Sequence, residues 1–254
     1  MKKIIILIFF IFIAVSISAQ DVDLAYKFRE NAHHKFKEKT TVKIDANFLG
    51  EEQSATSLTV IDIDEVIKLS GENAKITQTC TTSVSEIDGE SNLDTKEPDE
   101  IETTVIYDAD KRGMVLGVAD KEGTPFEEYD SSNYTPLLPN KNVKIGDTWD
   151  ILRSIDNTNV KCKCTLSQLY SKEGVDIAKI DMVFDDVIKD DDGELPMEIT
   201  VKGKGVFYFA INYGNDLYMA YNVDFETSFD TELDDGIGSV SMKSNFDYVY
   251  WRCK

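Results

Sequence analysis

The 254-residue chain is 42% hydrophobic and carries 47 Asp and Glu against 27 Lys and Arg, a formal net charge of −20 at pH 7. That hydrophobic share supports a folded core, and the length suits one large all-β domain or two small ones. Such an acidic surface repels polyanions, which makes nucleic acid and anionic lipid headgroups poor candidate partners and favours cations, basic proteins and neutral ligands.

Residues 1–19 read as a secretory signal peptide. Lys2 and Lys3 form its charged start, Ile4 to Val15 its apolar stretch, and Ser16-Ile17-Ser18-Ala19 its small-residue cleavage region. Its removal takes the charge to −22. The apolar run is short for a membrane span and no basic stop-transfer cluster follows, so the mature chain is expected in the periplasm or secreted, with no transmembrane segment. The first cysteine is Cys80, so no lipid-acylation site follows the leader.

Next in the chain, Leu24, Tyr26 and Phe28 alternate as a strand does, and Phe36, Val42, Ile44 and Phe48 mark a second strand. Leu58 to Ile63 and Ala74 to Val84 give two more. A polar loop, Gly89 to Asp99, precedes a strand from Ile101 to Tyr107. Pro125, Pro136 and Pro139 then fall in a stretch with Gly123, Ser131, Ser132 and Asn133, read as the crossover between two halves, 20–139 and 140–254. A faint repeat supports two halves: Gly71 to Ile76 is echoed by Gly174 to Ile180, and Val105-Ile106-Tyr107 before Gly113 by Phe207-Tyr208-Phe209 before Gly214.

The C-terminal half is the most regular. Val201, Phe207, Phe209, Ile211 and Tyr213, then Leu217, Met219, Tyr221, Val223, Phe225, Thr227 and Phe229, then Val240, Met242, Phe246, Tyr248 and Tyr250 each hold one face of a strand. Turns fall at Tyr213-Gly214-Asn215-Asp216 and Asp234-Asp235-Gly236. Strands of this length must coil strongly, and Gly203 and Gly205 on one face would let the sheet bend. The expected fold is all-β: a long, curved antiparallel sheet, half-barrel or barrel-like, with a β-sandwich as the alternative.

The segment from Leu138 to Trp149, Leu-Pro-Asn-Lys-Asn-Val-Lys-Ile-Gly-Asp-Thr-Trp, is the most distinctive. It resembles the Pro-x-Lys-x-Val-Lys-x-Gly-Asp-x-Trp signature of uncharacterised exported bacterial β-proteins, a domain-of-unknown-function family. The resemblance implies an opening Leu-x-Tyr-x-Phe strand, matched by Leu24-Ala25-Tyr26-Lys27-Phe28, and a Gly-x-Gly strand, matched by Gly203-Lys204-Gly205. It implies no reaction. Physically the signature is structural: Gly146 and Asp147 turn the chain, and Trp149 buries a ring that locks the turn.

Few residues carry chemistry. Cys80, Cys162, Cys164 and Cys253 permit two disulfides in an oxidising compartment. Cys162 and Cys164 lie two apart on one strand face, too strained to bridge, so each would pair with Cys80 or Cys253. Free thiols are the competing reading. His33 and His34 point to opposite faces of any strand and make no zinc site. The acidic run Asp181, Asp185, Asp186, Asp190, Asp191, Asp192 and Glu194 fails the EF-hand spacing and reads as a solvated hairpin tip. Neither a nucleophile elbow nor an assembled triad is present, and Asn133-Tyr134-Thr135 is a glycosylation sequon without consequence in a bacterial exporter. No catalytic residue, metal site or cofactor is therefore expected. The expected function is an exported, non-enzymatic protein that binds a neutral or cationic apolar ligand in a β concavity lined by Phe207, Phe209, Tyr221 and Phe225. The alternative is a cell-envelope structural or interaction protein without a small-molecule ligand.

Overall fold

The computed structural model describes residues 21–87, 100–126, 135–155, 158–190, 197–233 and 236–253. Residues 1–19, read as a leader, the loop at Gly89 to Asp99, Asn133 and Tyr134 of the sequon, the hairpin tip at Asp191 to Glu194 and the turn at Asp234-Asp235 lie outside them. Among the described residues there is no helix. In chain order the strands are β1 (His33–Phe48), β2 (Glu51–Ser70), β3 (Asn73–Ile87), β4 (Glu100–Ala109), β5 (Val115–Asp120), β6 (Thr148–Ile155), β7 (Thr158–Lys172), β8 (Val175–Asp190), β9 (Met197–Ala210), β10 (Asn215–Leu233) and β11 (Gly236–Arg252).

All eleven form one antiparallel sheet in the order β5-β4-β3-β2-β1-β11-β10-β9-β8-β7-β6. Every neighbour but one is a sequence neighbour; the exception is β1 against β11, where Phe36 faces Arg252 and Phe48 faces Val240. That pairing joins residues 20–139, which supply β1 to β5, to residues 140–254, which supply β6 to β11. The two edges, β5 and β6, do not pair with each other, so the sheet is a curved half-barrel rather than a closed barrel. The two internal echoes fall on hairpins five strands apart, β2–β3 and β7–β8, then β4–β5 and β9–β10.

Cross-strand register defines one inner face. It carries Phe36, Glu38 and Val42 of β1, Tyr250, Tyr248 and Phe246 of β11, and Met219, Tyr221 and Val223 of β10. It continues through Phe207 and Val201 of β9, Ile180, Met182 and Phe184 of β8, and Cys162, Cys164 and Leu166 of β7, to Ile151 of β6. The C-terminal strands curl until this face packs on itself: Val160, Leu166, Val201, Val223 and Phe209 are fully buried. Gly203 and Gly205 make the curl possible. A Cβ at Gly205 would sit 2.6 Å from Tyr221 Cβ and 2.7 Å from the Ala220 carbonyl oxygen, and one at Gly203 would sit 2.5 Å from the Asn222 carbonyl oxygen.

The Leu24-Tyr26-Phe28 segment departs from expectation. It is not a strand of the sheet but an extended strap across one end of the half-barrel. The Val22 N–H donates to the Val143 carbonyl (2.8 Å), Tyr26 N–H to Lys111 (2.8 Å) and Lys27 N–H to Gly214 (3.0 Å). Two hairpin glycines admit it: a Cβ at Gly113 would meet the Tyr26 ring at 2.8 Å, and one at Gly214 the Lys27 nitrogen at 2.3 Å. Its alternation is real but serves packing at a crossing point. Leu24 is buried in the C-terminal core, whereas Phe28 packs on the small cluster of Ile67, Ala74, Ile76 and Ala109 in the N-terminal half.

The signature segment forms the turn into β6. Gly146 has φ +95°, and Asp147 accepts from the Lys144 backbone N–H at 3.1 Å. The Trp149 indole N–H donates to the Leu137 carbonyl at 3.0 Å while the half-buried ring packs on the core. The four cysteines stand as free thiols in the structure, the second of the two readings. Cys162 and Cys164 share one buried face, as their spacing requires. Cys80 stands inward on β3 opposite Ile63, and Cys253 lies past β11 with its backbone tied to Lys35.

Candidate functional site

The four aromatic residues expected to line a concavity do not line the large cavity between the strap and the N-terminal strands. Phe207 and Phe209 are fully buried in the C-terminal core, Tyr221 stacks on Tyr248 with centroids 4.5 Å apart, and Phe225 packs edge-on against Phe246. The open space lies further along the same inner face. It is a cavity of 1220 Å³ between the strap and β1 to β5, reached also by β6, β10 and β11. Its apolar wall includes Phe36, Ile63, Ile67, Ile76, Val105 and Met219. Sequence reasoning missed this location because the alternation is weaker in β2 to β4; the signal was the polar interruption of that alternation by Glu38, Glu65 and Gln78.

Those polar residues are held. Glu65 on β2 is buried and accepts from Gln78 Nε2 at 3.1 Å and Tyr107 Oη at 3.4 Å, and His34 Nδ1 lies 3.2 Å from it. His33, on the other face of β1, pairs with Asp64 instead, so the two histidines diverge as their adjacency requires. Glu38 accepts from the Tyr248 hydroxyl at 3.2 Å. Burial raises the Glu38 carboxyl above its ordinary value, with Tyr248 and Arg153 acting against the rise.

Asp216 enters the cavity through a backbone irregularity. A register shift between Asp216 and Tyr218 on β10 breaks the two-residue period, so Asp216 and Leu217 both line the space although adjacent strand residues ordinarily face opposite ways. Tyr26 on the strap donates its hydroxyl to Asp216 Oδ1 at 2.8 Å. Burial pushes the Asp216 carboxyl up to about 7; the charge of Glu65 adds to this, while the Tyr26 hydrogen bond and the charges of Arg153 and Arg252 oppose it.

Arg153 comes from the opposite edge of the sheet. It sits on β6 and reaches across the curl to the stacked Tyr221 and Tyr248 rings, its guanidinium carbon 5.9 Å from each centroid. Its Nε is buried with no hydrogen-bond partner, and Arg153 makes no ion pair within 4.0 Å among the described residues. Burial works against its charge, but Tyr221, Tyr248 and Glu38 outweigh that and hold its pKa above the ordinary arginine range.

No family model matches the chain, and no curated protein matches it. Among solved structures it is similar to a DUF1329 family protein from Desulfovibrio piger, with 8% identity over 85% of this chain and 84% of that one and a TM-score of 0.15. Superposition at that level carries no argument about fold or function.

Proposed function

We propose that this is an exported, non-enzymatic protein that holds an apolar ligand in the concavity between the strap and the N-terminal half of its sheet. The carrying observation is the 1220 Å³ cavity on a face whose other half is packed solid. Its volume is somewhat above the roughly 300–1,000 Å³ usual for small-molecule sites, and its wall sets aliphatic and aromatic side chains beside a charged set that includes Arg29, Glu38, Glu65, Arg153, Asp216 and Arg252. Export follows from the leader-like residues 1–19, and the Leu138 to Trp149 signature is the pointer to a family of exported β-proteins. The acidic surface governs approach, whereas charges inside the cavity govern the bound ligand's polar end.

Native mass spectrometry of the mature protein isolated from its own host tests this reading. A discrete excess mass that disappears on organic extraction is expected, together with binding of the uncharged fluorophore N-phenyl-1-naphthylamine by the extracted protein. An apo mass throughout, and no binding of that probe, would replace the reading with the envelope-scaffold alternative.

A further inference from the structure

The charged and ionisable groups lining the cavity, which also include Lys27, Arg29, Glu30, His33, His34 and Arg252, are not equally provided for. Each of the carboxylates Glu38, Glu65 and Asp216 accepts a hydrogen bond from a protein side chain. The Arg153 guanidinium has no carboxylate within ion-pair distance among the described residues, and its Nε–H has no acceptor. A charge removed from water without a partner costs several kcal/mol after relaxation, so a fold retains one only where something else compensates it. The Tyr221 and Tyr248 rings, a hydrogen bond with the Tyr221 hydroxyl and the charge of Glu38 provide part of that compensation, and the stacked rings also fix the fork in place. One neutral acceptor, Asn215 Oδ1, is likewise without a donor, but leaving an uncharged amide unpaired costs much less. Among the described residues, the Arg153 Nε–H is the buried cationic donor of the cavity that still lacks an acceptor.

We propose that Arg153 anchors the carboxylate of a long-chain amphiphile whose hydrocarbon tail lies against Phe36, Ile63, Ile67, Ile76 and Met219. The inference rests on the reading of this cavity as an apolar-ligand site and specifies the polar end. Arginine suits the task because its planar fork matches both oxygens of a carboxylate and it keeps its charge when buried. It also sets the sign opposite to the one the surface charge suggests. Screening and distance weaken the surface repulsion, while a contact inside a water-poor cavity is strengthened. A plain structural role competes with this, in which Arg153 and Glu38 form a cross-barrel charge pair through modest side-chain movement.

The test measures displacement of N-phenyl-1-naphthylamine from the delipidated mature protein by oleate, oleylamine and oleyl alcohol, each below its aggregation threshold. In the wild type, oleate should bind at least about tenfold more tightly than the other two, since a charge-assisted bidentate pair is worth at least that factor. Arg153→Met should bring the three within about twofold of one another. Arg153→Lys should retain part of the preference. Equal binding of all three by the wild type, or an oleate preference that survives in Arg153→Met, would overturn the proposal while leaving the apolar site intact. Loss of fluorophore binding by the wild type would overturn both. If Arg153→Met and Glu38→Gln each lower the melting temperature and neither changes the head-group preference, Arg153 is a structural partner of Glu38 and the proposal fails. Should Arg153→Met not fold, Arg153→Gln gives the same comparison.

Discussion

The two halves of the sheet share a strand plan but differ in what their inner faces carry. On β8 that face reads Ala178, Ile180, Met182 and Phe184, and all four are buried; on β3, the corresponding strand five earlier, it reads Ala74, Ile76, Gln78 and Cys80. On β9 it reads Val201, Gly203, Gly205, Phe207 and Phe209, against Thr103, Val105, Tyr107 and Ala109 on β4. The C-terminal half therefore has both the apolar volume to fill an interior and two glycines that let the sheet tighten around it. The N-terminal half has neither, because smaller and polar side chains cannot close the space and no inner glycine lets the strands draw in. A cavity forms where the volume runs short, and the strap covers its end without filling it.

Core truncation should separate the halves most sharply. Phe209→Ala removes a ring with no exposure and leaves a void in a packed interior, for an expected loss of about 3–5 kcal/mol. Phe36→Ala removes an equal ring from the wall of an existing cavity, where no new closed void is created, and should cost about half as much. Equal shifts of the two urea midpoints would mean that the N-terminal half is packed like the other. Next in size is Gly205→Val, which places its Cβ against backbone and Tyr221 and should cost about 2–3 kcal/mol, as overpacking does. Gly117→Val on β5 is the control: a Cβ there would meet nothing within 4 Å, so the exchange should be nearly silent.

Trp149→Ala tests the turn into β6. The indole holds the 137–138 segment through its N–H to Leu137 and packs on the C-terminal core, but it is only half-buried. We expect a cost of about 2 kcal/mol, with Trp149→Phe recovering the packing part and not the hydrogen bond. An unchanged midpoint with altered probe binding would assign Trp149 to the ligand site instead.

The legibility of the sequence follows the same division. The alternation from Leu217 to Phe229 and from Val240 to Tyr250 was readable because most of one face of β10 and β11 is buried, and a buried face favours apolar residues. The bend at Gly203 and Gly205 was readable because glycine pairs on one strand face have few other uses. Three features were not. The strap alternates like a strand, yet its hydrogen bonds go to turn backbones at Lys111 and Gly214, a tertiary fact with no local trace. The approach of Arg153 to Tyr221 and Tyr248 joins two regions far apart in the sheet order and depends on its curvature. The inward turn of Asp216 comes from a bulge, which overrides the alternation that made its neighbours legible.

Asp216 supplies the smallest effect and the finest probe of the open half. Burial penalises the charged form and pushes its carboxyl up to about 7 from an ordinary value of 3.8. A carboxyl whose folded pKa is raised favours folding while it is protonated, so this contribution is fully present below about pH 4 and is lost as pH rises toward 7. Asp216→Asn keeps an acceptor for the Tyr26 hydroxyl and removes the ionisation. The variant should therefore match the wild type at pH 4 and melt a few degrees above it at pH 8, a gain of about 1 kcal/mol once solvent entering through the cavity is allowed for. The groups facing Asp216 are Tyr26 on the strap, Glu65 on β2, Arg153 on β6 and Arg252 on β11, and all are unchanged by the substitution. The difference between variant and wild type thus isolates one carboxyl from the acid-rich background, which shifts both proteins alike. A variant that melts below the wild type at pH 8 would mean that the charged carboxylate is stabilising, that water reaches it freely, and that the strap does not cover this end of the cavity.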